Sequence, residues 1–214
     1  MRSKFDEQLA LLNRDLTKMG SLCEEALALA AKALANADGQ TAAKIAPIDS
    51  EIDQMERTIE SLCLKLLLQQ QPVARDLRQI SAALKMITDM ERIGDQASDI
   101  AEIIGFLNGR IATDAQYICQ MAVAAMRMVT ESVEAYVKRD VAMAEATIQH
   151  DDVVDDLFLK VKESLIQMIS ENPKDGEYAL DLLMIAKYFE RIGDHATNIA
   201  EWVVFSVTGV HEQG

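Results

Sequence analysis

Turn-forming and aromatic residues are scarce in this chain. Three prolines, nine glycines and 5% aromatic residues among 214 leave little material for the tight turns of a sheet protein. No stretch approaches 18 uncharged apolar residues, and Met1 to Asp6 lack the apolar core of a signal peptide, so a soluble, cytoplasmic chain is expected. Cys23, Cys63 and Cys119 are odd in number, show no Cys-x-x-Cys spacing and fall within apolar helical patterns. Buried, reduced thiols are expected of them, not disulfides or zinc ligands. No run of Lys or Arg offsets the formal net charge of −14, which disfavours nucleic acid and favours cations or basic protein surfaces as partners. Gly-x-Ser-x-Gly, a Walker loop and a Cys/His dyad are all missing, so no motif supports hydrolysis or nucleotide binding.

What the chain has is repetition. Glu91-Arg92-Ile93-Gly94-Asp95 recurs letter for letter as Glu190-Arg191-Ile192-Gly193-Asp194, 99 positions later. Upstream, Asp38 and Asp49 reappear with the same separation as Asp140 and Asp151, at an offset of 102. Each copy is long enough for a small domain with its own core, and the division expected is residues 1–107 and 111–214.

Half of the residues are apolar, and their spacing is helical. Phe5, Leu9, Leu12, Leu16, Met19, Cys23, Ala26 and Ala30 alternate by four and three, the seam of a left-handed bundle. That helix should end near Ala37-Asp38-Gly39. The pattern then predicts helices over Thr41–Gln70, stopped by Pro72, and Val73–Leu107, broken at Asn108-Gly109. Ile111–Lys138, Val141–Ser170 and Glu177–Val207 repeat the plan, with Asn172 to Gly176 as the clearest break. The expected fold is all-α: two tandem three-helix bundles made of six long antiparallel helices.

Carboxylates are distributed on these helices more regularly than solubility requires. At about 100° per residue, Glu91, Asp95, Asp99 and Glu102 share one face, opposite Met86, Ile93, Ala97, Ile100 and Ile104. Glu190, Asp194 and Glu201 repeat the face, with Asn198 in the place of Asp99. On the preceding helix, Asp49, Asp53, Glu56 and Glu60 cluster together, and Asp151 and Asp155 recur at the same relation. Like charges at i, i+4 cost about 0.2–0.5 kcal/mol per pair, a cost that a bound cation removes. Oxygen donors without thiolate or imidazole suit hard ions such as Mg²⁺, Mn²⁺, Ca²⁺ or oxidised iron. A solvated acidic face, with Arg92 and Arg191 supplying local ion pairs, accounts for one such stripe; four stripes at duplicated positions favour a metal.

His195, where the first copy has Gln96, reads as a polar flank or a packing histidine, and His150 and His211 receive no role. Gly94 and Gly193 interrupt strong helical patterns at a cost of about 1 kcal/mol relative to Ala, which suggests a close approach by a neighbouring helix or a ligand.

The paired Glu-Arg-Ile-Gly-Asp motifs, each followed by Ala and Ile, and the Asp-x-x-x-Asp pairs resemble the PhoU family of phosphate-uptake regulators over essentially the whole chain. The resemblance implies metal clusters held by Asp49, Asp53, Glu91, Asp95 and Asp99, and by Asp151, Asp155, Glu190 and Asp194, with Asn198 departing from the acidic pattern. It also implies a non-enzymatic cytoplasmic adaptor, often homodimeric, that restrains phosphate uptake and the phosphate-starvation response. Its expected partners are a PstB-type ABC transporter ATPase and a PhoR-type sensor histidine kinase, through which alone it would meet the membrane. The chief alternative is a ferritin-like di-iron oxidoreductase, whose sites need inward-facing ligands and Glu-x-x-His motifs that this sequence does not contain.

Overall fold

The computed structural model describes residues 2–70, 72–107, 109–110 and 116–210, and among them every long element is a helix. In chain order these are α1 (Arg2–Asn36), α2 (Gly39–Ala42), α3 (Ile45–Gln70), α4 (Ala74–Phe106), α5 (Gln116–Lys138), α6 (Val141–Gln149), α7 (Asp151–Glu171) and α8 (Gly176–Thr208). A 3₁₀ turn, Pro173–Asp175, precedes α8. None of the described helices is long and apolar enough to cross a membrane.

The repeated aspartates at 38 and 140 are turn residues. Ala37 and Arg139 adopt φ of 47° and 58°, and the next amide reaches back to Ala33 and Ala135 respectively, closing each preceding helix in a left-handed turn. Asp38 then caps α2 by accepting from the amides of Gln40 and Thr41, and Asp140 caps α6 by accepting from that of Met143.

Two predicted helices are interrupted. The stretch expected as Thr41–Gln70 is the short α2, a step at Ala43 and Lys44, and then α3. The stretch expected as Val141–Ser170 is divided at His150, whose amide is shared between the carbonyls of Ala146 (3.2 Å) and Thr147 (3.0 Å). A 3₁₀-type bond at that point tightens the helix just before Asp151. The predicted start of the fourth helix at Ile111 lies outside the described residues, as does His211.

Within each half, the helix that carries the Asp-x-x-x-Asp pair packs on the one that carries the repeated pentapeptide: α3 on α4, and α6 with α7 on α8. The halves also pack on each other. The most extensive contact is between α4 and α8, and α1 lies along α5. Ile93, Ala97, Ile100, Ile192, Ala196 and Ile199 are fully buried in one continuous apolar core. Asp89 meets Asn198 while Asp99 meets Tyr188, so α4 and α8 cross antiparallel.

Candidate metal centre

Helices α3 and α4 abut along their acidic stripes. Asp49, Asp53 and Asp95 each bring one carboxylate oxygen within 4.8 Å of the other two. Asp49 sits deepest. Its Oδ2 accepts a 2.8 Å hydrogen bond from the Ser98 hydroxyl, and its Oδ1 is buried with no hydrogen-bond partner among the described residues. Gly94 creates that depth, because a Cβ at position 94 would stand 2.7 Å from Asp49 Oδ1 and 3.0 Å from Ile52 Cδ1. The close approach suggested by a glycine in mid-helix is therefore an approach by a carboxylate.

The crowding has an electrostatic signature. Burial and then the charges of Asp95, Asp53 and Asp99 raise the Asp49 carboxyl above its usual range, against the Ser98 hydrogen bond. Burial and Asp53 raise Asp95; burial, Asp95 and Glu56 raise Glu91. Glu56 is raised by burial, then by Glu60 and Asp53. Glu56 thus belongs to the same seam, as its helical spacing predicts, although only Asp49 and Asp53 of that helix are implied as ligands by the family resemblance. Arg92 and Arg57 stand at the rim, 3.7 Å from Glu91 and 3.9 Å from Asp53, with mostly exposed side chains.

The second copy repeats the plan. A Cβ on Gly193 would lie 3.0 Å from Asp151 Oδ1. Asp151 is pushed up to about 6 by burial, then by Asp194, Asp155 and Glu190. Burial and Glu190 raise Asp194; burial and Glu190 raise Asp155. Thr197 stands where Ser98 stands in the first copy, but its Oγ1 is buried without a partner among the described residues, so Asp151 receives no bond from that position.

Asp99 borders the first cluster. Its carboxylate bonds to Tyr188 on α8 while its charge is still felt at Asp49 and Asp95. On the other side of the α4–α8 crossing, Asp89 Oδ1 lies 2.8 Å from His195 Nδ1 and accepts from Asn198 at 3.2 Å. His195 is therefore a link between the halves. Asp89 was not anticipated; its only sequence signal is a carboxylate two residues before the pentapeptide, where the second copy has Tyr188.

The donor set fits a hard cation: all carboxylate oxygen, three residues already at bridging distance, and one buried oxygen left unpaired. Asp49, Asp53 and Asp95, with Glu91 and Glu56 beside them, would hold it. The carboxylates line seams between helices, whereas the inward positions carry Ile52, Ile93, Val154 and Ile192. A ferritin-like centre needs the opposite placement.

The family model described as PhoU domain matches the chain twice, over residues 16–104 and 118–203. A phosphate-specific transport system accessory protein PhoU homolog from Clostridium acetobutylicum is 36% identical over 210 residues, covering 97% of this chain and 96% of that protein. The crystal structure of PhoU from Pseudomonas aeruginosa aligns with a TM-score of 0.92 at 34% identity, over 96% of this chain and 100% of that one. The phosphate transport system regulatory protein PhoU from Streptococcus pneumoniae aligns with a TM-score of 0.88 at 26% identity, over 98% and 99% of the two chains.

Proposed function

This chain belongs to the PhoU family, and we propose that it is an accessory protein of phosphate-specific transport that restrains phosphate uptake and phosphate-starvation signalling. It acts without catalysis of its own, as a cytoplasmic adaptor between a PstB-type ABC transporter ATPase and a PhoR-type sensor histidine kinase. It meets the membrane only through these partners and works as a homodimer. Hard metal ions, Mg²⁺, Mn²⁺ or iron, bind in the two carboxylate seams.

One observation carries the reading: a deep aspartate seated against a helical glycine, beside further carboxylates, occurs twice at matched positions, and in the first copy three carboxylates converge. Crowded carboxylates repel one another, and a divalent ion bound between two helices converts that repulsion into a tie. The metal then supplies rigidity to a surface that partners read.

The test is a deletion strain carrying a phosphate-starvation reporter. Derepression in phosphate-rich medium, reversed by the wild-type gene, is the expected outcome; unchanged output would sink the regulatory role. Affinity capture from phosphate-replete cells should bring down an ABC transporter ATPase and a sensor kinase, and recovery of an electron-donor protein in their place would favour redox chemistry.

A further inference from the structure

We propose that Lys187 is a built-in cation that makes the second carboxylate cluster the weaker metal site, so that hard divalent ions fill the first cluster before the second. The proposal rests on the metal-binding reading above and adds a ranking of the two sites.

The clusters are built on the same plan, but their charges have diverged at matched positions. Where α8 carries Lys187, α4 carries Thr88. Where α7 carries Phe158 and Lys162, α3 carries Glu56 and Glu60, and Asn198 takes the place of Asp99. The second seam therefore lacks three carboxylates and gains two ammonium groups. Asp152 and Asp156 return negative charge to α7 and, like Lys162 and Lys187, are exposed; what sets Lys187 apart is its seat on a cluster carboxylate.

Geometry gives Lys187 its role. Its Nζ donates to both carboxylate oxygens of Glu190, at 2.6 and 2.5 Å, and lies 5.6 Å from the centre of the Phe158 ring. The ammonium is held between an aromatic face and the carboxylate that a metal would use. Its field also reaches Asp155 and Asp194. A metal entering this seam must take Glu190 from the ammonium and then bear its repulsion. At a separation of about 5 Å, one unit charge acting on a divalent ion changes affinity on the order of tenfold, even with near-aqueous screening. At the first seam the neighbouring cations, Arg57 and Arg92, stand 3.9 and 3.7 Å from their carboxylates with side chains 70% and 60% exposed. Lys187 is 46% exposed and bonds both oxygens of Glu190, so the second seam already holds a cation on one of its carboxylates, whereas the arginines of the first seam keep longer contacts.

The experiment is calorimetric titration of chelator-treated, full-length protein with Mn²⁺, with bound ions counted by native mass spectrometry. Wild type, Lys187→Thr, Lys187→Gln and Asp95→Asn are compared after circular dichroism confirms that each is folded; the Gln variant serves because Thr is the poorer helix former. Wild type should show two classes of site. Removing the lysine charge should tighten the weaker class about tenfold and leave the stronger one unchanged, and Asp95→Asn should abolish the stronger class. Identical isotherms for wild type and both Lys187 variants, or tightening of the class that Asp95→Asn removes, would overturn the ranking while leaving metal binding intact. No Mn²⁺ uptake by wild type would overturn the metal-binding reading and this proposal together.

Discussion

The Asp49 carboxylate occupies the space that a side chain at position 94 would fill: a Cβ there would stand 2.7 Å from Oδ1. In an unobstructed helix, Gly→Ala gains about 1 kcal/mol. Gly94→Ala should instead destabilise the protein, because both Asp49 and Ile52 must move to admit the methyl group. Gly193→Ala, with a 3.0 Å approach to Asp151, should be the milder change. Urea unfolding of both variants checks the order; a gain in stability for Gly94→Ala would show that Asp49 moves freely.

Metal should stabilise the fold through the first cluster. In the presence of chelator, Asp95→Asn should leave stability unchanged or slightly higher, since it removes a like-charge neighbour worth about 0.2–0.5 kcal/mol. With Mn²⁺ at about 100 times its dissociation constant, a site that binds only the folded state adds roughly 2.7 kcal/mol, and Asp95→Asn should lose most of that gain. Equal thermal shifts in both proteins would place the ion elsewhere.

Without metal, stability should fall as pH rises from about 4 to 6. Asp151 is pushed up to about 6 in the fold, so within this window the native state holds a proton that the unfolded chain has already released. Unfolding then becomes easier with each increment of pH, and above about 6 the contribution is flat. Asp151→Asn should make the slope shallower across that window, the remainder coming from the other raised carboxyls, as measured by urea midpoints in chelator. An unchanged slope would mean that Asp151 titrates normally.

A left-handed residue with a side chain closes α1. Ala37 sits at φ 47°, in a region that costs a non-glycine residue about 1–2 kcal/mol. Ala37→Gly should therefore raise stability by about 1 kcal/mol, less the entropy that glycine adds to the unfolded chain. Thermal unfolding gives the sign directly.

The division at 107 and 111 should not yield two indifferent pieces. Because α4 packs on α8 and α1 on α5, fragments 1–107 and 111–214 each expose an apolar face when alone. Mixed together, they should associate and regain the helical signal of the intact chain, readable by circular dichroism and sedimentation. Two monomeric, fully stable fragments with no affinity for each other would contradict a shared core.

Much of this was legible in the sequence because helices write their buried faces at fixed spacing. The heptad seam of α1 and the opposition of Glu91 and Asp95 to Ile93 and Ile100 follow from periodicity alone. The glycine in Glu-Arg-Ile-Gly-Asp signalled a close approach, though not by which group. What periodicity could not supply is which surfaces meet across the halves. Asp89 and His195 lie 106 residues apart, and no local pattern joins them. The step at His150 escaped for a similar reason, since one shared amide bond leaves the apolar spacing on either side intact.

The antiparallel crossing of α4 and α8 has the form of an isologous interface between two copies of one ancestral half. In a dimer of separate subunits every substitution appears twice, once on each side of the axis. Joined in one chain, the two sides are free to differ, and they do: the Asp89–Asn198 contact is mirrored by Tyr188–Asp99, but Asp89 also meets His195, whereas Gln96, the counterpart of His195, has a buried Oε1 with no hydrogen-bond partner among the described residues. Covalent fusion thus released the axis from self-complementarity, so that a symmetric scaffold carries two unlike faces.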